Sequence, residues 1–270
     1  MKIRLAAGVL LAVLFHAQLV RCADEKPKVE FTVFAAASLT ESFNEIGKQF
    51  EEKHPNATVV FNFGASNQLR FQIEQGAKAD VFASANSKEM DALVKSGGVS
   101  NDTVRTFARN RLVVLYPKEN PGKIAALEDL AKPNLKLIVA HKAVPVGNYT
   151  LEMLGKMSAD SKYGDTFKEK VLKNVVSEEE NVKSVVAKVR LGQADAGIAY
   201  VSDIGSAAKD MGTLDIPDAF NPVAVYPIAP LKKASHLELA SEFLDLVLSD
   251  AGQKIIQKNG FMTANNKKKE

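Results

Sequence analysis

The sequence predicts an α/β fold whose sheets are mostly parallel and flanked by helices. Two observations carry this reading. Short apolar runs alternate with stretches of helical periodicity along most of the chain. Two strand-to-helix junctions are also built alike, each handing over at a serine set among small residues. In the first, Phe31-Thr32-Val33-Phe34 reads as a strand, Ala35 to Ala37 lead to Ser38, and Leu39, Phe43, Ile46 and Phe50 fall near one face of a helix. Ser38 followed by Glu41 fits a capping box, which makes Ser38 the expected N-cap. In the second, Val59 to Phe63 reads as a strand, Gly64-Ala65-Ser66-Asn67 as a tight turn, and a helical stretch runs from Leu69 towards Gly76.

A strand feeding directly into a helix aims free backbone N–H groups and the positive end of the helix dipole at one point, a natural anion site. The small residues let an anion approach. Taken alone, either stretch is an ordinary β–α unit whose serine caps its helix. Two such junctions on neighbouring parallel strands would face one crevice, at the carboxyl ends of the strands.

The rest of the chain follows in order. Met1 to Ala23 reads as a signal peptide: Lys2 and Arg4 form a basic start, and Leu5 to Phe15 an apolar core too short to span a membrane. A cut after Ala23 removes Cys22, the single cysteine. A lipid anchor at Cys22 is the alternative, and Arg21 directly before it departs from the Leu-small-small-Cys pattern. Asp80 to Ser84 is a strand, Ser87 to Lys95 a helix closed by Gly97-Gly98, Leu112 to Tyr116 a strand stopped by Pro117, and Ile124 to Leu130 a short helix. Leu135 to Ala140 is a strand, Asn148 to Met157 a helix, Val182 to Leu191 a helix, and Ala196 to Tyr200 and Val223 to Ala229 strands. Leu237 to Leu248 and Gly252 to Lys258 read as closing helices, followed by a polar tail at 265–270.

With 270 residues, 46% hydrophobic and 25% charged, the chain is long enough for one or two domains with a real core. The net charge of +3, part of it in Lys267 to Lys269, forms no nucleic-acid stripe. Enzyme signatures fail on inspection. Ser206-x-x-Lys209 has no accompanying Lys-Thr-Gly, and His236-x-Glu238 lacks a following Cys-x-x-Cys. His16, His54, His141 and His236 lack metal-ligand spacing, and no Gly-x-x-x-x-Gly-Lys loop is present.

Five segments in this order, VFAAASLTESF (33–43), FNFGASNQLRFQIEQGAKADVFASA (61–85), AVPVGNY (143–149), SEEENVKSVVAKVRLGQADAGIAY (177–200) and YPIA (226–229), form a specific pattern. The chain resembles the periplasmic molybdate-binding proteins of ABC transporters, from about Val29 to Thr263. The resemblance implies a two-lobed fold with the ligand in the cleft: a first lobe from 29–112 and 225–264, and a second inserted at 113–224. It implies that Ser38 and Ser66 hydrogen-bond an oxyanion through hydroxyl and backbone N–H, that Val146 and Val182 donate backbone N–H groups, and that the Tyr200 hydroxyl donates. The family pattern has alanine at the place of Val146, which leaves a backbone donor intact. The ligand implied is molybdate or tungstate, with no cofactor, no bare metal cation and no catalysis. The partners implied are a membrane permease and its ATPase, with a periplasmic monomer as the acting species. Glu178 to Glu180 are expected to be first-turn carboxylates pointing to solvent. The same fold tuned to sulfate, thiosulfate, phosphate or a small organic anion is one alternative, and an exported sensory or structural module is another.

Overall fold

The computed structural model describes residues 28–205 and 209–264. The signal segment with Cys22, Ser206 and the tail at 265–270 lie outside the described residues. The chain runs β1 (Val29–Ala36), α1 (Thr40–Lys53), β2 (Ala57–Gly64), α2 (Ser66–Glu74), β3 (Val81–Ala83), α3 (Ser87–Lys95) and β4 (Arg105–Asn110). It continues through β5 (Leu112–Pro117), β6 (Leu137–Ala140), α4 (Pro145–Ser158), α5 (Phe167–Lys173), β7 (Val175–Glu179), α6 (Val182–Arg190), β8 (Ala196–Tyr200) and β9 (Met211–Asp215). It closes with β10 (Ala224–Pro230), α7 (Leu237–Leu248), α8 (Asp250–Lys258) and β11 (Met262–Thr263).

These strands form two sheets, ordered β11-β4-β10-β3-β1-β2 and β7-β6-β8-β5-β9, each flanked by helices as a lobe of its own. The chain passes between them once from β4 to β5 and once from β9 to β10. The α/β two-lobed architecture is as expected, but the sheets are mixed rather than mostly parallel. β1 pairs in parallel with β2 and β3, and β6 with β7 and β8, while β10, β4, β11, β5 and β9 pair antiparallel. Among the described residues, the links β4 to β5, β8 to β9 and β9 to β10 contain no α-helix that would turn the chain back to its starting direction.

Register brings the two serine junctions together. Ala36 pairs with Gly64 at the ends of β1 and β2, so Ser38 and Ser66 emerge side by side. The first lobe is held by a ring cluster: Phe31, Phe43, Phe50, Phe107 and Phe243 are all fully buried, with neighbouring centroids such as Phe31–Phe50 at 5.4 Å. Each such burial contributes roughly 2–3 kcal/mol, and together they fix α1 against the sheet that presents Ser38. In the second lobe, Val182, Val185, Val186 and Val189 form the buried face of α6. α4 starts at Pro145, three residues before the expected start, because proline is pre-set for a first helical position. Its next turn presses on the end of β6. A Cβ on Gly147 would lie 2.2 Å from the His141 carbonyl oxygen and 2.4 Å from that of Ala140, so only glycine permits this approach. The expected helix at 124–130 is a 3-10 turn, Leu127–Ala131. Among the described residues no helix is long and apolar enough to cross a membrane.

Candidate functional site

A pocket lies between the lobes. The first lobe lines it with Ala36, Ala37, Ser38, Gly64, Ala65, Ser66 and Ala85. The second contributes Val144, Pro145, Val146, Asn181, Val182 and Tyr200. All five residues singled out from the sequence therefore meet in one cavity, although they are up to 162 positions apart. No acidic or basic side chain lines it among the described residues. Its cavity volume is about 20 Å³, far below the roughly 300–1,000 Å³ of sites for organic ligands. Its size suits a small ion.

Each wall is supplied by local backbone logic. On the first lobe, Ser38 sits in a short 3-10 turn, Ala37–Leu39, and Leu39 rather than Ser38 is the N-cap of α1. The capping-box expectation is corrected accordingly: the Ser38 hydroxyl lies 2.9 Å from the Tyr226 hydroxyl instead, and Glu41 turns away to Lys183. Ser66 opens α2, whose N-cap Ala65 has no side-chain oxygen to satisfy the first turn. The Ser66 hydroxyl oxygen accepts the Ala85 N–H at 3.0 Å.

On the second lobe, Val146 lies in the first turn of α4, whose N-cap Val144 likewise has no capping side chain. Val182 is the first residue of α6 and lines the pocket, and the Asn181 side chain caps that helix by accepting the Ser184 N–H at 3.0 Å. Three helix N-termini thus converge on the cavity. Tyr200 ends β8, is 1% exposed, and its hydroxyl has no hydrogen-bond partner among the described residues. Burial pushes that hydroxyl well above the ordinary tyrosine range, so it keeps its proton and remains a donor.

Glu178 to Glu180 are not first-turn carboxylates. Glu178 and Glu179 belong to β7, and the first turn of α6 contains no acidic residue. Glu178 and Glu180 are exposed, and buried Glu179 accepts from Ser177 at 2.6 Å and pairs with Lys188 at 2.5 Å. None of the three lines the cavity.

Charge stands just behind the wall. Lys183, next to Val182, reaches Glu41 of the first lobe at 2.7 Å and Asp203 of its own lobe at 3.2 Å, linking the lobes across the cleft. Burial opposes the Lys183 charge, but Asp203 and Glu41 hold its pKa above the usual lysine value. Burial pushes the Asp203 carboxyl up to about 6, against the pull of Lys183 and of the Tyr200 N–H, which it accepts at 3.3 Å. Sequence reasoning missed Tyr226, Lys183 and Asp203 because no local pattern announces contacts between distant strands. It missed Asn181 too, although an asparagine three residues before Ser184 at the head of an apolar helical face is a recognisable cap. No group of three or more His, Cys, Asp or Glu that could hold a metal ion occurs among the described residues, and His236 donates its backbone N–H to Asp80 at 2.9 Å as a structural tie.

The chain is similar over most of its length to proteins named for molybdate binding. The molybdate-binding protein ModA of Mycobacterium tuberculosis is 38% identical over 269 residues, covering 96% of this chain and 98% of its own. The substrate-binding domain of a putative molybdenum ABC transporter from Clostridium difficile is 29% identical and superposes with a TM-score of 0.65, covering 87% of this chain and 99% of its own. The periplasmic molybdate-binding protein of Azotobacter vinelandii, 22% identical, shares the fold with a TM-score of 0.74, covering 86% of this chain and 98% of its own. A profile of bacterial extracellular solute-binding proteins matches residues 31–262, and the chain belongs to that family.

Proposed function

We propose that the protein captures molybdate, and tungstate with little preference, outside the cytoplasm and delivers it to an ABC permease driven by its ATPase. The observation that carries this is the small cleft with no charged lining, framed by three helix N-termini and three hydroxyls. In this reading Ser38 and Ser66 donate through hydroxyl and backbone N–H, Val146 and Val182 through backbone N–H, and Tyr200 through its hydroxyl. A tetrahedral dianion meets donors on both sides, so binding draws the lobes together. Each helix N-terminus favours the anion by roughly 0.3–1 kcal/mol at an exposed site and more when buried. Neutral donors leave capture reversible, as delivery requires. The lining contains no carboxylate to accept a proton from the ligand. A protonated oxyanion would leave a buried group unpaired at about 1–3 kcal/mol, which selects the fully deprotonated form.

The remaining assignments follow from this role. The lobes divide between β4 and β5 and between β9 and β10, close to the expected bounds of 29–112, 113–224 and 225–264 except that Leu112 goes with the second lobe and Ala224 with the first, and they move about the two connecting segments. The signal peptide exports a periplasmic monomer, and binding rather than catalysis is its task. The double variant Ser38→Ala, Ser66→Ala tests the reading. Molybdate affinity should fall by more than about a hundredfold, two lost bonds to a charged ligand at roughly 1.5–3 kcal/mol each, while the variant still unfolds cooperatively at a lowered melting temperature, because the Tyr226 hydroxyl and the Ala85 N–H lose buried partners. Unaltered affinity in that variant would refute the site.

A further inference from the structure

The geometry points to Tyr226 as a positioning residue that fixes Ser38 as a donor and so sets the specificity of the site for proton-free oxyanions. This rests on the oxyanion reading above. Tyr226 does not line the cavity. It is fully buried, its ring held edge-on by Phe107, Tyr200 and Phe261, and its hydroxyl reaches Ser38 at 2.9 Å.

Either hydroxyl of that pair could be the donor, and Asn110 decides between them. The Asn110 side-chain oxygen accepts the Arg111 N–H at 2.9 Å, which fixes the amide orientation. Its nitrogen then faces Ser202 at 2.8 Å and Tyr226 at 3.5 Å. An amide nitrogen only donates, so the Tyr226 oxygen accepts from Asn110 and its own proton is left for Ser38, the hydroxyl 2.9 Å away. Burial holds the phenol pKa well above the ordinary tyrosine range, so that proton stays in place. With Tyr226 donating to it, Ser38 keeps its own proton for the cleft. The run of donors is Asn110 to Tyr226 to Ser38 to anion.

Ser66 is treated in the same way by different means. Its oxygen accepts the Ala85 N–H, which again leaves its proton for the cleft. Each serine then has one lone pair engaged by a protein donor and its proton free for the ligand, so both meet the ligand as donors first. Remove the Tyr226 hydroxyl, and Ser38 is free to rotate and accept.

The test is a double-mutant cycle on the full mature chain, with Tyr226→Phe, Ser38→Ala and the combined variant titrated with molybdate and with inorganic phosphate at pH 7.5, a dianion that still holds one proton. Tyr226→Phe deletes one oxygen and leaves the ring contacts, and its melting temperature checks folding. The expected result is about a tenfold loss of molybdate affinity, the scale of one bond to a charged ligand, a narrowed preference for molybdate over phosphate, and no further loss when Tyr226→Phe is added to Ser38→Ala. Full additivity, or an equal loss for both anions, would show a packing role and overturn the inference. A Ser38→Ala variant with unchanged molybdate affinity would instead sink the oxyanion reading, and this inference with it.

Discussion

The two walls of the cleft offer the same chemistry by different means. The first lobe presents serine hydroxyls that are already tied to the protein, Ser38 to the Tyr226 hydroxyl and Ser66 to the Ala85 N–H. The second is lined by Val146 and Val182, the proposed backbone donors, and by one hydroxyl, Tyr200, that has no partner among the described residues. The first wall is set before any ligand arrives. On the second, Tyr200 waits for one, since a buried unpaired hydroxyl costs about 1–3 kcal/mol until a ligand accepts from it. The contrast says where side chains matter and where only the peptide does.

The sharpest way to break the comparison is at Val182. Asn181 before it is extended, with φ −158° and ψ 166°, the conformation a following proline tolerates, and proline suits a first helical position. Val182→Pro should therefore keep α6 and lose only the N–H. Molybdate affinity is expected to drop about tenfold to a hundredfold, while Val182→Ala, with its N–H intact, stays within about threefold of wild type. Equal affinities for the two variants, measured by calorimetry, would remove Val182 from the site.

A smaller effect is expected from the link between the walls. Glu41→Gln breaks the contact to Lys183 across the cleft while the Lys183–Asp203 pair stays. A half-exposed ion pair contributes up to about 1 kcal/mol, so molybdate dissociation should quicken about two- to fivefold. The difference should fade at 1 M salt, where charges are screened beyond about 3 Å. Stopped-flow measurements at low and high salt check this, and an unchanged dissociation rate at low salt would exclude a latch.

A further effect is on stability alone. The Asp203 carboxyl is raised from 3.8 to about 6 in the folded chain. Between those values the folded state holds a proton that the unfolded chain has lost. The resulting stability is complete below 3.8 and disappears as pH rises through 6. Asp203→Asn mimics the protonated form. It should melt higher than wild type at pH 7.5, with the gap shrinking by about 2 kcal/mol at pH 4.5. A gap that is constant with pH would contradict a buried, titrating Asp203.

How much was legible in the sequence follows the same division of the walls. The Ser38 and Ser66 junctions could be read from local pattern, since a strand, a small-residue turn and a helix are all short-range. Val146 and Val182 could not, because a backbone donor leaves no mark on the residue type; only the resemblance pointed to them. Tyr226 sat in a recognised segment with no role assigned, because its partner Ser38 is 188 positions away. In the fold, the long apolar helices α1, α6 and α7 were legible. β7 was masked by its acidic end, Ser177-Glu178-Glu179, which mimics a helix start. β4 and β9 are short and half-exposed, and missing them turned mixed sheets into expected parallel ones.

The most direct measurement is calorimetric titration of the chain from Asp24 onward with molybdate, tungstate, sulfate and phosphate at neutral pH. The account predicts tight one-to-one binding of the first two with similar affinity, and far weaker binding of sulfate and phosphate. Tight phosphate binding would contradict a site made only of donors, and no binding of any oxyanion would contradict the function itself.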